Sequence, residues 1–391
     1  MPFCRSKCSF CNFASGVFPE SSFAPYIGRV IEDVRLIRPR IRALGMEIAH
    51  GADSVYLGGG TPSILPPSLL RALLAELRNA FEVAPDAEIT VECAPGQLAD
   101  EVLAALVEAG VNRISFGVQT FVDREAAVAG RLHSRATALC DIERVRRAGI
   151  SAINVDLIAG LPLQTASSWR ETLDTLASTE VSHASVYMFE VDEDSRLGDE
   201  VLRGGQRYHA SAVPDDDRMA DLYSEAIDSL ADCGLVQYEI SNFARPGAQS
   251  VHNKKYWLRQ PYLGFGVDAH SMLRGPAGDL RFAQTDDLER FLRADPPAEP
   301  GWLTQDEIAE ESWFLGLRLN EGVDAAKLDP RYRYRSDQVV EEAASDGLLE
   351  RAGDRVRLTA RGRLLSNEVF QRFLIPPCFS PANPSDLIAV L

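Results

Sequence analysis

Short apolar runs alternate with amphipathic segments over residues 50–240, and this alternation limits the folds available to the chain. The apolar runs, each bounded by turn residues, are predicted to be buried strands. They cover residues 54–57, 89–92, 113–118, 154–158 and 185–189. Repeated strand, helix, strand units require a parallel sheet, because each helix must cross a face of the sheet before the next strand begins. An open doubly wound sheet and a partial or full barrel both satisfy this pattern.

The segments between the strands carry helical signals. Residues 70–81 have leucine and phenylalanine at the i, i+3, i+4, i+7 spacing of one buried helical face, and residues 103–107 repeat it after an expected N-cap at Asp100. Glycines follow three of the expected helices, where the chain must adopt a left-handed backbone before the next strand. They are Gly110, Gly149 and Gly234.

A proline-rich linker divides the chain. Residues 295–300, Asp-Pro-Pro-Ala-Glu-Pro, cannot be helical and mark a domain boundary. We therefore expect an α/β domain over residues 1–240, a connecting segment over 241–300, a small α+β domain over 301–375 and a proline-rich tail over 376–391.

The expected C-terminal domain has the signals of a winged-helix-like unit. Thr304 and Glu307 predict the capping box of a helix that bears Ile308, Leu315 and Leu319. Two later segments, residues 348–351 and 355–359, flank a turn at Ala352-Gly353-Asp354 and predict a hairpin.

Charge and hydropathy exclude several classes of function. The 391 residues include 40 basic and 57 acidic side chains, and the net charge of −17 opposes long-range attraction to nucleic acid or to an anionic bilayer. We therefore expect the arginines at positions 351, 355, 357, 361 and 363 to be solvated or paired with acids rather than to bind nucleic acid.

No apolar stretch approaches the ~18 residues of a membrane span, and no secretory signal begins the chain. A cytoplasmic protein with reduced, scattered cysteines is expected.

Three cysteines near the start of the chain carry the strongest chemical signal. Cys4, Cys8 and Cys11 have C-x3-C-x2-C spacing, which lets three thiolates on one short loop bind three irons of a 4Fe-4S cluster and leaves one iron open. A structural zinc site is an alternative, but it needs four ligands, and His50 and Cys93 are isolated in sequence. Three unconnected thiols are the other alternative.

Downstream motifs fall at expected strand ends, where ligands bind in parallel sheets and barrels. Three glycines in Gly58-Gly59-Gly60-Thr61-Pro62 remove the Cβ atoms that would keep a ligand from the backbone, although a plain glycine turn is equally compatible. Polar residues end four other segments, where burial without a ligand or cation would be costly. They are Glu92, Gln119, Arg131 and Asp156.

A histidine among aromatic residues forms a further motif, His252-Asn253-Lys254-Lys255-Tyr256-Trp257. A neutral imidazole beside large aromatic rings suits an axial ligand with a stacked macrocycle. An ordinary packed loop has the same composition, so this motif alone leaves both interpretations open.

These motifs together resemble the radical S-adenosylmethionine (SAM) superfamily, and within it the HemW haem chaperones, close to the oxygen-independent coproporphyrinogen III oxidases. The resemblance runs from Cys4 to the segment 367–370. It implies a partial (β/α)6 barrel, a 4Fe-4S cluster on the three cysteines, and haem as cargo held at His252 of the HNxxYW signature. It also implies a set of SAM-binding residues. These are Phe10, Gly59, Gly60, Thr61, Glu92, Gln119, Arg131 and Asp156.

The resemblance also sets expectations for activity and partners. In such proteins the cluster supplies an electron that breaks the sulfonium bond of SAM. A HemW-like chain would deliver haem to haemoproteins such as membrane respiratory enzymes, and a homodimer is compatible with the sequence. The rival is radical decarboxylation of coproporphyrinogen III. Phe13 opposes it, because the oxidases have a further cysteine at that position.

The chain departs from the family pattern at its start. It begins Met1-Pro2-Phe3, whereas relatives have a strand and a tyrosine near SAM upstream of the cysteines. We expect the first barrel strand to be absent from this sequence, through truncation or a misassigned start, and cluster and SAM binding to be weakened by the unpaired edge that results.

Overall fold

A computed structural model describes residues 1–295 and 299–374. The chain divides into two compact units, Met1–Trp302 and Leu303–Leu391. Residues 296–298 of the expected linker and the whole expected proline-rich tail lie outside the described residues.

A seven-stranded sheet forms the centre of the first unit. Its strands are β1 (Gly51–Leu57), β2 (Glu82–Cys93), β3 (Arg113–Gln119), β4 (Ala152–Ala159), β5 (His183–Met188), β6 (Val236–Gln237) and β7 (Asn242–Ala244). Strands β1 to β5 pair in parallel in sequence order, which confirms the parallel sheet expected from the βα pattern. The sheet is then extended by β7 and β6, which are antiparallel, so the order is β1-β2-β3-β4-β5-β7-β6. Among the described strands of this sheet, β1 forms one edge and β6 the other.

Helices of the first unit follow the strands. They are α1 (Phe23–Ala43), α2 (Pro67–Ala80), α3 (Asp100–Glu108), α4 (Asp123–Val128), α5 (Arg135–Arg147), α6 (Ala166–Ser178), α7 (Arg196–Leu202), α8 (Asp216–Asp232), α9 (Val251–Trp257) and α10 (Leu288–Leu292). The predicted apolar face of α2 is buried at Leu70, Leu73 and Leu74. The predicted N-cap of α3 is wrong by one residue: Ala99 caps the helix without a side-chain hydrogen bond, and Asp100 is its first residue.

The glycine helix exits are confirmed. Gly110, Gly149 and Gly234 have φ values of +75°, +95° and +83°, in the left-handed region that a side chain rarely adopts. Each lets the chain leave its helix and enter the next part of the sheet. The core between helices and sheet contains fully buried side chains such as Phe116 on β3 and Trp169 on α6.

A second, three-stranded antiparallel sheet completes the first unit. It comprises β8 (His270–Gly275), β9 (Gly278–Ala283) and β10 (Gly301–Trp302), in the order β10-β9-β8. Beside it, Ile37 and Ile41 of α1 lie in one buried cluster with Leu273 and Leu280.

The second unit combines helices with a small antiparallel sheet, as expected. Its elements are α11 (Gln305–Phe314), β11 (Val323–Asp324), α12 (Arg333–Ser345), β12 (Leu349–Ala352), β13 (Arg355–Leu358), α13 (Ala360–Leu364) and α14 (Ser366–Phe373). The capping box of Thr304 and Glu307 is confirmed, and so is the β12–β13 hairpin. The expected extent of the first helix is wrong: α11 ends at Phe314, a 3-10 turn follows, and Leu319 lies beyond both.

Two arginines of the β12–β13 hairpin are hydrogen-bonded to carboxylates. Arg351 is hydrogen-bonded to Asp337 at 3.0 Å and Arg357 to Glu350 at 2.5 Å, so these hairpin arginines are paired with acids of their own unit.

No helix in the described part of the chain is long and apolar enough to cross a membrane.

Candidate functional site

The glycine loop after β1 contacts the start of the cysteine loop through the backbone. The Gly60 N–H donates to the Met1 carbonyl at 2.6 Å, and the Thr61 N–H donates to the Phe3 carbonyl at 2.7 Å. A Cβ on Gly60 would lie 2.6 Å from the Phe3 oxygen and 3.0 Å from Cys4 Sγ. Side chains essentially never approach so closely, so glycine is what lets the two loops meet.

The three thiols lie near polar side chains that suit thiolate sulfur. The Thr61 hydroxyl donates to Cys4 Sγ at 3.7 Å, and Arg131 Nη1 donates to Cys8 Sγ at 3.3 Å. Cys11 Sγ is 3.8 Å from Ser15 Oγ. Burial raises the pKa of the Cys4 thiol, but a thiol that coordinates a metal is deprotonated by the charge of the ion.

This donor set fits a 4Fe-4S cluster. Each cysteine of a cubane binds its own iron, so three thiolates and hydrogen bonds to their sulfurs are the expected surroundings. Within residues 1–295 and 299–374, no group of three or more His, Cys, Asp or Glu side chains has the geometry to hold one metal ion together.

Glu92, at the end of β2, lies beneath the glycine loop. Its Oε1 accepts a hydrogen bond from the Tyr56 hydroxyl at 2.7 Å, and its Oε2 accepts one from the Gly59 N–H at 2.9 Å. Burial raises the pKa of Glu92 to about 7 in spite of both donors. A ligand on the loop would meet a carboxyl group that changes charge near neutral pH.

Gln119 and Arg131 both lie beside Gly117 near the end of β3. Gln119 has a φ of +72°, which is strained for a residue with a side chain, and the pairing of β3 with β4 is irregular just before it. A Cβ on Gly117 would lie 3.1 Å from Gln119 Nε2 and 3.4 Å from Arg131 Nη2. Arg131 also donates to the Gly117 carbonyl, so its guanidinium connects this strand end to Cys8.

Asp156 on β4 is held by one side chain of β3 and one of its own strand. It accepts hydrogen bonds from Ser115 Oγ at 3.0 Å and from Asn154 Nδ2 at 2.7 Å. Burial raises the pKa of Asp156, while these donors and the charge of Arg131 oppose the rise. The carboxyl group is therefore fixed in position towards the carboxyl ends of the parallel strands, as Glu92 is.

A buried hydrogen-bond chain continues from Asn154. Its Oδ1 lies 2.7 Å from His183 Nδ1, and His183 Nε2 lies 2.9 Å from the Tyr238 hydroxyl. The hydroxyl in turn accepts from the Ser250 N–H at 3.2 Å. Burial holds the pKa of His183 well below its usual value, so this imidazole is neutral. The chain ends at Ser250, the residue that caps α9.

His252 lies on α9 and contacts β1. Its Nδ1 is hydrogen-bonded to Ser54 Oγ at 3.1 Å and its Nε2 to the Tyr256 hydroxyl at 2.8 Å. Its ring stacks on Tyr56 with a centroid distance of 4.9 Å and an interplanar angle of 23°. Burial lowers the pKa of His252 to about 4, so the ring is neutral at pH 7, as a metal-binding imidazole must be.

A cavity of about 690 Å³ runs along β1. His252, Tyr256 and Phe265 line it, together with all residues of the segment 51–59. Successive side chains of a strand point to opposite faces of the sheet. Since every residue of β1 nevertheless lines the cavity, the cavity follows the outer edge of this strand.

Phe10 has a different environment from the polar site residues. It packs against a buried apolar cluster that includes Ile158, Leu161 and Phe189. Among the other predicted residues, Glu92 contacts Gly59, Thr61 contacts Cys4 and Arg131 contacts Cys8.

Two contact residues were not predicted from the sequence. Tyr56 joins Glu92 to His252, and Glu88 accepts hydrogen bonds from the Val251 and His252 N–H groups at 3.1 and 2.9 Å. Tyr56 follows a simple strand pattern: Ser54 and Tyr56, which both contact His252, are two residues apart on a strand and therefore share a face. Glu88 had no comparable local signal, because its partners in α9 lie more than 160 residues away.

Comparisons with known proteins identify the family of this chain. Residues 1–176 match the model of the radical SAM superfamily, and residues 303–365 match the HemN C-terminal domain. The chain is 32% identical to the heme chaperone HemW of Bacillus subtilis (strain 168), over 96% of this chain and 97% of the relative. It is 31% identical to heme chaperone HemW of Lactococcus lactis, over 96% of each chain.

A solved structure has a similar fold. The coproporphyrinogen III oxidase HemN from Escherichia coli, a radical SAM enzyme, superimposes with a TM-score of 0.81 at 24% identity, covering 95% of this chain and 88% of that one. The near-complete coverage of the HemW relatives extends the relationship through both units of the protein. The chain therefore belongs to the HemW family within the radical SAM superfamily.

Proposed function

We propose that this protein is a haem chaperone that binds haem as cargo and delivers it to haemoproteins. The observation that carries the proposal is the match to HemW heme chaperones along 96% of the chain, with the HNxxYW segment in helix α9. The work would take place in the cytoplasm, and acceptors would include membrane respiratory enzymes.

Cys4, Cys8 and Cys11 would hold the 4Fe-4S cluster. The sulfur contacts of Thr61 and Arg131 support this assignment. When bound, the cluster would supply the electron for cleavage of SAM. In the protein itself, hydrogen bonds to the thiolate sulfurs would stabilise the charge of the ligands.

Residues at the strand ends would hold SAM. Gly59, Gly60 and Thr61 would receive it at the backbone, and Glu92, Gln119, Arg131 and Asp156 would contact its polar groups, with Phe10 on the apolar side. The proposal is supported by the contacts of Glu92 with the glycine loop and of Arg131 with Cys8.

His252 is the proposed iron ligand for haem. The neutral ring and the stacked Tyr56 suit an axial ligand beside a flat macrocycle. In the structure both ring nitrogens are hydrogen-bonded, to Ser54 and Tyr256. Binding of iron through Nε2 would therefore require the Tyr256 contact to open.

Haem titration with a histidine variant tests the assignment. His252→Ala should weaken haem binding by at least about tenfold and leave the iron and labile sulfide content of the anaerobically reconstituted protein unchanged. His50→Ala is the matched control, because the His50 side chain is exposed. Unaltered haem affinity in His252→Ala would remove this residue from the haem site. Absence of iron and sulfide from all preparations would instead favour the alternative raised by the sequence, a binding protein stabilised by a structural zinc site.

The second candidate is coproporphyrinogen III oxidation to protoporphyrinogen IX. The fold similarity to HemN is the observation that favours it. Phe13 is 60% exposed beside the cysteine loop and offers neither a ligand nor a proton where the oxidases have cysteine. Incubation of the reconstituted protein with reductant, SAM and coproporphyrinogen III separates the candidates: formation of protoporphyrinogen would support the oxidase.

A further inference from the structure

Tyr56 contacts both halves of the proposed site. Its hydroxyl donates to Glu92 Oε1 at 2.7 Å, and its ring stacks on His252 at a centroid distance of 4.9 Å. Burial raises the pKa of the Tyr56 hydroxyl well above its usual value, so the group remains a donor at any physiological pH. One side chain therefore joins the carboxyl group beneath the glycine loop to the candidate iron ligand.

The His252 ring has one observed arrangement, and iron binding would require another. In the observed, closed arrangement its two nitrogens are bonded to Ser54 and Tyr256. An imidazole binds a metal through a nitrogen lone pair. Coordination through Nε2 thus needs a second, open arrangement in which the contact with Tyr256 is broken.

The backbone of α9 is fixed separately from these rings. The Glu88 carboxylate accepts hydrogen bonds from Ser250 Oγ at 3.2 Å and from the Val251 and His252 N–H groups. On the other side, the Tyr238 hydroxyl accepts from the Ser250 N–H. A change from closed to open would therefore involve side chains alone, and the ring that would move is the one on which Tyr56 is stacked.

We propose that Tyr56 couples the two ligands, so that SAM on the glycine loop opposes haem binding at His252. This inference rests on the proposed function. Glu92 already has one protein donor on each oxygen, Tyr56 and the Gly59 N–H. A ligand that seats on the loop and donates further hydrogen bonds to Glu92 restrains the carboxylate and, through it, the Tyr56 ring. The restrained ring holds His252 in the closed arrangement.

Coupling between two binding sites is reciprocal. In the reconstituted protein, saturating SAM should raise the Kd for haem about fivefold or more, and saturating haem should raise the Kd for SAM by the same factor. Tyr56→Phe keeps the stacked ring but removes the hydroxyl, and both factors should fall below about twofold. Tyr334→Phe is the matched control, because Tyr334 is 78% exposed in the second unit, and it should retain the wild-type factors.

A second readout does not depend on haem. SAM should shift the ring-nitrogen NMR resonances of His252, assigned among the six histidines with His252→Ala, in the wild type but not in Tyr56→Phe. If His252→Ala binds haem normally while the SAM-induced shift is present, the haem assignment fails and with it the coupling to haem, whereas the connection from SAM through Tyr56 to the His252 ring stands. If SAM causes no shift in the wild type, or the same shift in Tyr56→Phe, the coupling is refuted.

Discussion

Gly60→Ala tests whether backbone contact between the glycine loop and the cysteine loop positions the cluster ligands. The new Cβ would lie 2.6 Å from the Phe3 carbonyl oxygen and 3.0 Å from both the Met1 carbonyl oxygen and Cys4 Sγ. To reach the 3.4 Å at which ordinary contact begins, the loops would have to separate by about 0.8 Å. Both oxygens belong to the backbone, so rotation of a side chain cannot relieve the overlap with them.

The expected cost is that of overpacking, about 1–3 kcal/mol. Because the separation displaces Cys4 from Thr61, we expect the variant to retain less iron and sulfide after anaerobic reconstitution and to bind SAM at least about tenfold more weakly. The measurements are iron and sulfide content, the SAM dissociation constant and the midpoint of thermal unfolding.

Gly28→Ala is the control for a glycine without close neighbours. Gly28 lies inside α1, and a Cβ there would meet nothing within 4 Å. Alanine should stabilise that helix by about 1 kcal/mol and leave cluster and SAM binding unchanged. Wild-type cluster content and SAM affinity in Gly60→Ala would refute the steric argument.

Three further variants test single contacts. Because Glu92 has a pKa of about 7, it is mostly protonated at pH 6 and ionised at pH 8; SAM affinity should rise about tenfold over that interval, and isothermal calorimetry should find no rise in Glu92→Gln. Glu88→Gln removes the negative charge at the start of α9 and should lower haem affinity while the cluster spectrum is retained; equal haem titrations would contradict the role of Glu88 in fixing His252. Arg131→Lys weakens the hydrogen bond to Cys8 sulfur and should make the cluster potential more negative in a redox titration, whereas an unchanged potential would argue against that contact.

Local patterns predicted the sheet because each βα unit is specified by neighbouring residues. The five parallel strands and the glycine exits follow from periodicity and from backbone conformation alone. The antiparallel strands β6 and β7 were not predicted, since strands of two and three residues are too short to show a period. The limit of α11 at Phe314 was missed because the apolar spacing continues past the last helical residue.

The candidate site was predictable in its residue types and strand-end positions but not in its connections. Glu92 and Asp156 could be recognised because a carboxylate that ends an apolar strand needs a partner. The partners themselves, Tyr56 for Glu92 and Glu88 for α9, are brought together by folding over long sequence separations. Contacts of this kind depend on strand order and register, which a single sequence does not specify.

The left-handed backbone of Gln119 places the stability of the fold and the proposed use of the site in opposition. A non-glycine residue at a φ of +72° costs about 1–3 kcal/mol, which glycine would relieve at the expense of the amide side chain. A library of variants sorted for thermal resistance should therefore become enriched in glycine at position 119, whereas one sorted for SAM retention should keep glutamine.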